Sequence, residues 1–312
     1  MKTFLVVNPK SGNGTTGRHF DEIAREVRAA IGEFGHAFTE RPGHAVELAR
    51  RAAEEGAQCV VAVGGDGTTN EVVNGLLDEM GSLVRPGVAL GVVPRGTGGD
   101  FRKTFGWGAS LPEAAWRLRG ESVKAIDAGR ITFTGHDGAT RSRYFVNIAS
   151  AGVSGLVDHE VNRASKALGG KVSFAIGSLK ALWRYRDVAM KVSFDGGPER
   201  TAPSTLVAVA NGQYFGGGMW IAPKAIPDDG LFDVTSWSGV KLSDFVFNSK
   251  AIYDGSHVDL PNTRCERAKT VRIEAEGGAE VLLDVDGEQP GRLPATLELL
   301  PLALRLKVAP ST

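Results

Sequence analysis

One stretch, Val60 to Gly75 (VVAVGGDGTTNEVVNG), limits what this chain can fold into. Cys59 and Val60 to Val63 are small, apolar and mostly β-branched, the pattern of a buried strand. The chain then turns on Gly64, Gly65 and Gly67 around one acid, Asp66. Thr68, Thr69 and Asn70 are candidate caps of a helix predicted to run to about Met80, with Glu71 in its first turn. Glycines permit φ > 0 and let amide N–H groups face an anion; a helix start adds further N–H groups and a positive dipole end. Such a turn suits phosphate. An acid among phosphate-binding amides repels the ligand unless a cation comes with it, so Asp66 implies Mg2+ carried by a nucleotide. Many strand–glycine–helix turns bind nothing, and one alone is weak ground for phosphate.

The theme recurs. Thr3 to Val7 is a predicted strand, followed by Asn8-Pro9-Lys10-Ser11-Gly12-Asn13-Gly14 and a helix from about Thr16 to Ile31. Asn8, Ser11 and the nearby backbone offer donors to phosphate, and Lys10 offers charge. Val88 to Val93 is another strand, followed by Pro94-Arg95-Gly96-Thr97-Gly98-Gly99-Asp100 and a helix. A short strand, His36 to Thr39, precedes an Ala-rich helix from Ala45 to Glu55, and His44 in the turn is either a ligand contact or structural. Strands alternating with helices predict a parallel α/β sheet of Rossmann-like type, whose ligands gather at the C-terminal strand ends, where Thr39 also falls.

From about Val123 the pattern becomes strand after strand with few helices, which predicts a β-rich, antiparallel second domain. The expected division is 1–124, 125–300 and a tail, 301–312, returning to the first domain. Lys166 to Arg186 is an exception: its amphipathic pattern fits a helix packed on the core or one leaning on lipid headgroups, with the core favoured. Equal numbers of Lys+Arg and Asp+Glu, 36 each, give no support for nucleic-acid binding. No apolar run is long enough to span a bilayer, and Phe4 to Val7 is a short strand rather than a signal peptide. Cys59 and Cys265 lie in different halves, against a disulfide framework. The expected location is cytoplasmic.

VVNPKSGNG, GHAVELA, GGDGTTNEVVNG and PRGTGGDF, in that order, resemble the catalytic region of the diacylglycerol kinase family, whose bacterial soluble members are related to the sphingosine and ceramide kinases. AIDAGRI, NGQYFGGGM, KAIPDDGLFDV and DVDGE extend the resemblance over nearly the whole chain. It implies a phosphofructokinase-like or NAD-kinase-like α/β domain, a β-sandwich domain and an active site in the cleft between them. ATP would lie on Asn8, Pro9, Lys10, Ser11, Gly12, Thr39, Gly64, Gly65, Asp66, Gly67, Thr68, Thr69, Asn70 and Thr97. The catalytic Mg2+ would be held by Asp66, Asp100 and Asp127, partly through water, and a structural Mg2+ by Asp229 with the carbonyls of Ile226 and Leu231. In the family, activation of the acceptor is attributed to the pair found here as Asp286 and Glu288; Glu288 is assigned as the base and Asp286 as its close partner or substitute. Two departures stand out. Gly99 replaces the Asn that usually follows GTG, and Asn13 stands where many relatives have a basic residue, with Arg18, Lys166 or Lys171 as candidate replacements.

The expected function is an ATP-dependent lipid kinase acting on diacylglycerol or a similar lipid, working at a membrane surface as a peripheral protein in phospholipid biosynthesis. A homodimer is expected from the bacterial relatives. Phe215, Met219, Trp220 and the Lys166 to Arg186 segment are candidate walls for acyl chains, because YFGGGMW sets apolar side chains beside flexible glycines. The alternatives are a kinase of a soluble acceptor, in the manner of NAD kinase, and a nucleotide-binding regulator without turnover.

Overall fold

A computed structural model describes residues 1–96, 98–157, 185–240 and 249–310 of the chain. They divide into two compact units, Met1–Ala128 with Leu300–Thr312, and Gly129–Leu299. Thr97 and most of the Lys166 to Arg186 segment lie outside the described residues.

The first unit is α/β. Its elements are β1 (Thr3–Val7), α1 (Thr15–Arg18), α2 (Phe20–Ile31), β2 (Gly35–Phe38), α3 (His44–Glu54), β3 (Cys59–Gly64), α4 (Asp66–Leu76), β4 (Ala89–Pro94), α5 (Asp100–Thr104) and α6 (Leu111–Arg117). The strand order is β2-β1-β3-β4, all parallel. Every residue of β3 is buried, as a strand covered on both faces must be. Leu5, Val7, Val61 and Val63 pack on Ile23 and Val27 of α2 and Ala114 and Leu118 around α6. Val60 and Ala62 alternate with them and are fully buried, while α3 and α4 pack on each other and on the sheet. The helices after β1 and after β3 thus cover opposite faces, and the crevice where ligands gather in such sheets opens between the ends of these adjacent strands.

The helix predicted from Thr16 to Ile31 is two helices. His19, at φ −110 and ψ 23, separates α1 from α2. The Gly17 amide bonds the Pro9 carbonyl at 3.1 Å, so the first turn folds back on the loop that feeds it. The helix after β3 starts at Asp66 and stops at Leu76, short of Met80, because Asp78 accepts the Met80 and Ser82 amides and turns the chain. Thr68, Thr69 and Asn70 therefore lie inside α4, and its N-cap is Gly65.

The second unit is a β-sandwich. The chain enters it within β5 (Val123–Gly135) and continues through β6 (Thr140–Phe145), β7 (Ile148–Gly152), β8 (Val188–Phe194), β9 (Arg200–Ser204), β10 (Leu206–Ala210) and β11 (Phe232–Trp237). After α7 (Ser249–Asp254) come β12 (Thr263–Ala268), β13 (Thr270–Ala275), β14 (Leu283–Val285) and β15 (Gly291–Lys307), which carries the chain back to the first unit. One antiparallel sheet runs β12-β11-β10-β7-β14. The other holds β13 between β15 and β8, with β9 beyond, and β5 and β6 pair as a hairpin. Val207 and Val209 of β10 enter the core between the sheets with Phe145, Phe232 and Ile273. Leu206, Ala208 and Ala210 enter a second core with Ile221, Trp237 and Ile252. Both faces of the middle strand are thus covered, the period of two read on a fully buried strand.

Helix packing in the first unit rests on one missing side chain. A Cβ on Gly75 of α4 would lie 2.4 Å from the Val46 carbonyl oxygen and 2.8 Å from the Ala49 Cβ of α3. Gly75→Val is expected to cost about 1–3 kcal/mol through overpacking. A thermal melt should then fall by roughly 2–4 °C for each kcal/mol lost.

Candidate active site

Three glycine loops meet at the C-terminal edge of the parallel sheet. The Asn8 amide bonds the Val63 carbonyl at 3.0 Å, the Thr39 amide the Val7 carbonyl at 2.8 Å, and the Arg95 amide the Gly64 carbonyl at 2.7 Å. The strand ends are thereby laced together. A Cβ on Gly96 would sit 2.6 Å from the Gly65 Cα, and one on Gly12 would sit 2.8 Å from the Arg95 carbonyl oxygen. The loops touch backbone to backbone, which only glycine allows. Gly12 also lies at φ +58.

Within this cradle each residue has a traceable role. Asn8 Nδ2 donates to Thr68 Oγ1 at 3.1 Å, which leaves the Thr68 hydroxyl hydrogen for another acceptor. Asn8 Oδ1 accepts the Lys10 amide at 3.0 Å and orders the loop. Ser11 Oγ donates to the Asn8 carbonyl and meets Thr16 Oγ1, so it serves the loop itself. Thr69 Oγ1 donates to the Gly65 carbonyl, and Asn70 is fully buried with its Oδ1 facing Asn74. Pro9 carries the carbonyl that takes the Gly17 amide. The Glu71 carboxylate accepts the Gly43 and Ala45 amides at 2.9 and 3.0 Å and so caps α3. His44 Nδ1 accepts the Glu40 amide, a structural bond. Arg18 donates to the Asn13 carbonyl and thus reaches the loop that lacks the relatives' basic residue.

Asp66 opens α4. Its Oδ2 accepts the Asp100 amide at 3.0 Å and its Oδ1 the Phe101 amide at 3.3 Å. It therefore caps α5, whose own N-cap, Gly99, has no side chain to do so. A Cβ on Gly98 would lie 3.4 Å from Asp66 Oδ2 and 3.9 Å from Asp100 Oδ2, so both carboxylates converge on this glycine. Lys103 Nζ pairs with Asp100 Oδ1 at 2.6 Å. Asp127 is fully buried in β5, and its Oδ1 accepts the Leu302 amide at 2.7 Å.

In the second unit the DVDGE segment forms a two-residue hairpin turn. Val285 and Glu288 exchange backbone bonds of 2.8 and 3.1 Å. Asp286 at φ 51 and Gly287 at φ 83 supply the two left-handed residues such a turn needs. Asp286 is buried; Oδ2 accepts the Val146 amide at 2.9 Å, and Oδ1 accepts the Asn147 and Ile148 amides at 3.1 and 3.0 Å. Arg143 Nη1 and Nη2 both donate to Glu288 Oε2 at 3.0 Å. Trp220 stacks on Tyr214 and donates to Gln213, and Phe215 packs with buried Met219 on the outer core of this unit. Asp229 Oδ1 accepts the Leu231 amide, while Arg267 pairs with both Asp229 and Asp233. The Ile226 carbonyl accepts the Asp229 amide at 3.4 Å.

Residues 2–131 match the diacylglycerol kinase catalytic domain, and residues 147–308 match the YegS C-terminal NAD kinase beta sandwich-like domain. The chain belongs to this diacylglycerol kinase family. A Mycobacterium tuberculosis protein named diacylglycerol kinase is 29% identical over 98% of this chain and 94% of its own. A Chromohalobacter salexigens protein named "Probable lipid kinase YegS-like" is 36% identical over 74% of this chain and 70% of its own. A solved Bacillus anthracis structure, 27% identical, superposes with a TM-score of 0.75 over 99% of this chain and 97% of the other.

Gly99 lies at φ +62 and ψ 45, left-handed backbone that Gly and Asn tolerate best. It offers no capping side chain, and Asp66 caps α5 instead. The family also implies a divalent cation. Among the described residues no three acids, histidines or cysteines gather closely enough to hold an ion alone. Two carboxylates converging on Gly98 nevertheless fit Mg2+, which is commonly held by one or two carboxylates together with substrate phosphates. At Asp229 an ion would share the carboxylate with the Arg267 guanidinium. Among the described residues no helix is long and apolar enough to cross a membrane.

Sequence reasoning missed the Gly65–Gly96 contact, the Glu71 cap and Arg143, because each joins residues far apart in the chain and leaves no local pattern. Gly99→Asn is expected to leave stability within about 0.5 kcal/mol. Gly99→Val should cost about 1–2 kcal/mol for the left-handed backbone; urea denaturation of both variants reads the difference.

Proposed function

We propose that this protein is an ATP-dependent lipid kinase that transfers the γ-phosphate to a hydroxyl of diacylglycerol or a similar lipid. The observation that carries the reading is Asp66 at the start of α4, inside a cradle of backbone amides where three glycine loops meet. Polyphosphate suits the amides and the helix dipole, and a carboxylate in the same place suits only a phosphate that arrives with a metal ion. The names of the relatives supply the lipid.

In this reading Gly64 to Thr68, with Asn8 and Gly12, hold the phosphates. Thr97 and Thr39 belong to the same nucleotide site. The Thr68 hydroxyl, already accepting from Asn8, donates its hydrogen to a phosphate oxygen. Asp66 and Asp100 hold Mg2+, which when bound neutralises charge developing on the transferred group. Asp127, fully buried in β5, is the third acid of this group. Glu288 takes the acceptor's proton, with Asp286 as its partner on the same turn. The protein works in the cytoplasm, peripherally at a membrane surface where its lipid resides, as a homodimer, in phospholipid biosynthesis. Asp229, with the Ile226 and Leu231 carbonyls, is a candidate for a structural Mg2+.

The test is Asp66→Asn, which keeps an oxygen to cap α5 and removes the charge. With labelled ATP, Mg2+ and diacylglycerol in mixed micelles, phosphate transfer is expected to fall by about 100-fold or more, the scale of losing one electrostatic stabiliser. The melting curve should fall only slightly, since Asn leaves one of the two α5 amides unbonded. Undiminished transfer would remove the assignment. Label passing to NAD and not to lipid extract would favour a soluble acceptor.

A further inference from the structure

The two acids of the DVDGE turn are not equivalent. Asp286 spends both oxygens on main-chain amides: Oδ2 on Val146, and Oδ1 on Asn147 and Ile148. Its own amide donates to the Ile148 carbonyl at 3.0 Å. A buried carboxylate bonded to three successive amides ties the β6–β7 corner to the β14–β15 turn. Such a group is a fastener, because a proton taken up there would break those bonds.

Glu288 is held differently. Both guanidinium nitrogens of Arg143 converge on one oxygen, Oε2, at 3.0 Å. Among the described residues Oε1 makes no hydrogen bond and no ion pair. The Glu288 side chain is 42% exposed and that of Arg143 is 19% exposed. The arginine stands on β6, 145 residues away in sequence, on a strand paired antiparallel with β5. The cation is therefore fixed by the sandwich, while the carboxylate projects from a turn. Two donors on Oε2 pin that oxygen and leave Oε1 to solvent.

We propose that Arg143 is a positioning residue for phosphoryl transfer: it grips Glu288 by Oε2 and so presents Oε1 to the acceptor hydroxyl, while Asp286 serves as the structural fastener of the turn. This rests on the lipid-kinase reading. In the step, the acceptor O–H bond breaks and its proton passes to Glu288 Oε1. The acceptor oxygen forms a bond to the γ-phosphorus. The bond from that phosphorus to the β,γ-bridging oxygen breaks, and its electron pair leaves with ADP. Arg143 touches no reacting atom. It holds Glu288 in one orientation, and misorientation of a catalytic group costs rate rather than binding.

The experiment is a double-mutant cycle on the full-length protein with diacylglycerol in mixed micelles, reading kcat, acceptor KM, Mg-ATP affinity by calorimetry and melting temperature. Glu288→Gln is expected to lower kcat by about 100-fold or more, the scale of losing a general base. Arg143→Ala should lower kcat by about 10–100-fold with KM and ATP affinity unchanged. Arg143→Lys, which keeps a charge that can reach one oxygen, should recover part of the loss. In the Glu288→Gln background, Arg143→Ala should cost less than about threefold, since residues acting as a unit are not additive.

Full additivity of the two substitutions would overturn the proposal, as would an Arg143→Ala protein that melts early yet retains its kcat. A KM rise with kcat unchanged would do the same and make Arg143 a binding group. If the wild type binds Mg-ATP and phosphorylates no lipid, the lipid-kinase reading is what fails. If Arg143→Ala does not fold, Arg143→Lys and Arg143→Gln carry the cycle.

Discussion

The first unit depends on a contact that contains no side chains. Gly65 and Gly96 approach so closely that a single methyl group on Gly96 would come within 2.6 Å of the other backbone. Gly12 meets the Arg95 carbonyl on the same terms. Loops following β1, β3 and β4 can converge only because these positions are bare. Convergence in turn concentrates amide groups at one end of the sheet, beside the first turn of α4. The requirement for glycine is thus steric.

Asp66 shows how one residue serves two purposes there. Its carboxylate caps α5 by accepting the Asp100 and Phe101 amides, which fixes the third loop against the second. The same carboxylate converges with Asp100 on Gly98. An Asn, with one acceptor oxygen, could bond only one of these two amides, so the structural role by itself already favours a carboxylate. The second unit repeats the economy in another form, with one acid of a tight turn locked to the backbone and its neighbour held by an arginine from a distant strand.

Much of this was legible in the sequence, for reasons particular residues make plain. The β1, β3 and β4 strands stood out because strands buried on both faces are continuous apolar runs: TFLVV, CVVAV and ALGVV admit little else. The sandwich was legible as a succession of short strands, and the DVDGE turn as an Asp-Gly pair between strands. The start of α4 was misread, because Thr68, Thr69 and Asn70 have capping chemistry while the true cap, Gly65, has none. The break at His19 was invisible because it comes from a fold-back onto Pro9 rather than from a local helix breaker. Long-range partners were invisible throughout. Nothing near Glu288 announces Arg143, and nothing near Glu71 announces the start of α3.

The central claim is that the three converging glycine loops of the first unit are a polyphosphate site. It is tested most directly by titrating the isotope-labelled protein with Mg-ADP and following backbone amide resonances. The account predicts that the largest shifts fall on Gly64 to Thr68, Gly12 and Gly96, that they saturate together, and that Asp66 and Asp100 respond only when Mg2+ is present. Shifts confined to other parts of the chain, with these amides unmoved at saturating nucleotide, would contradict it.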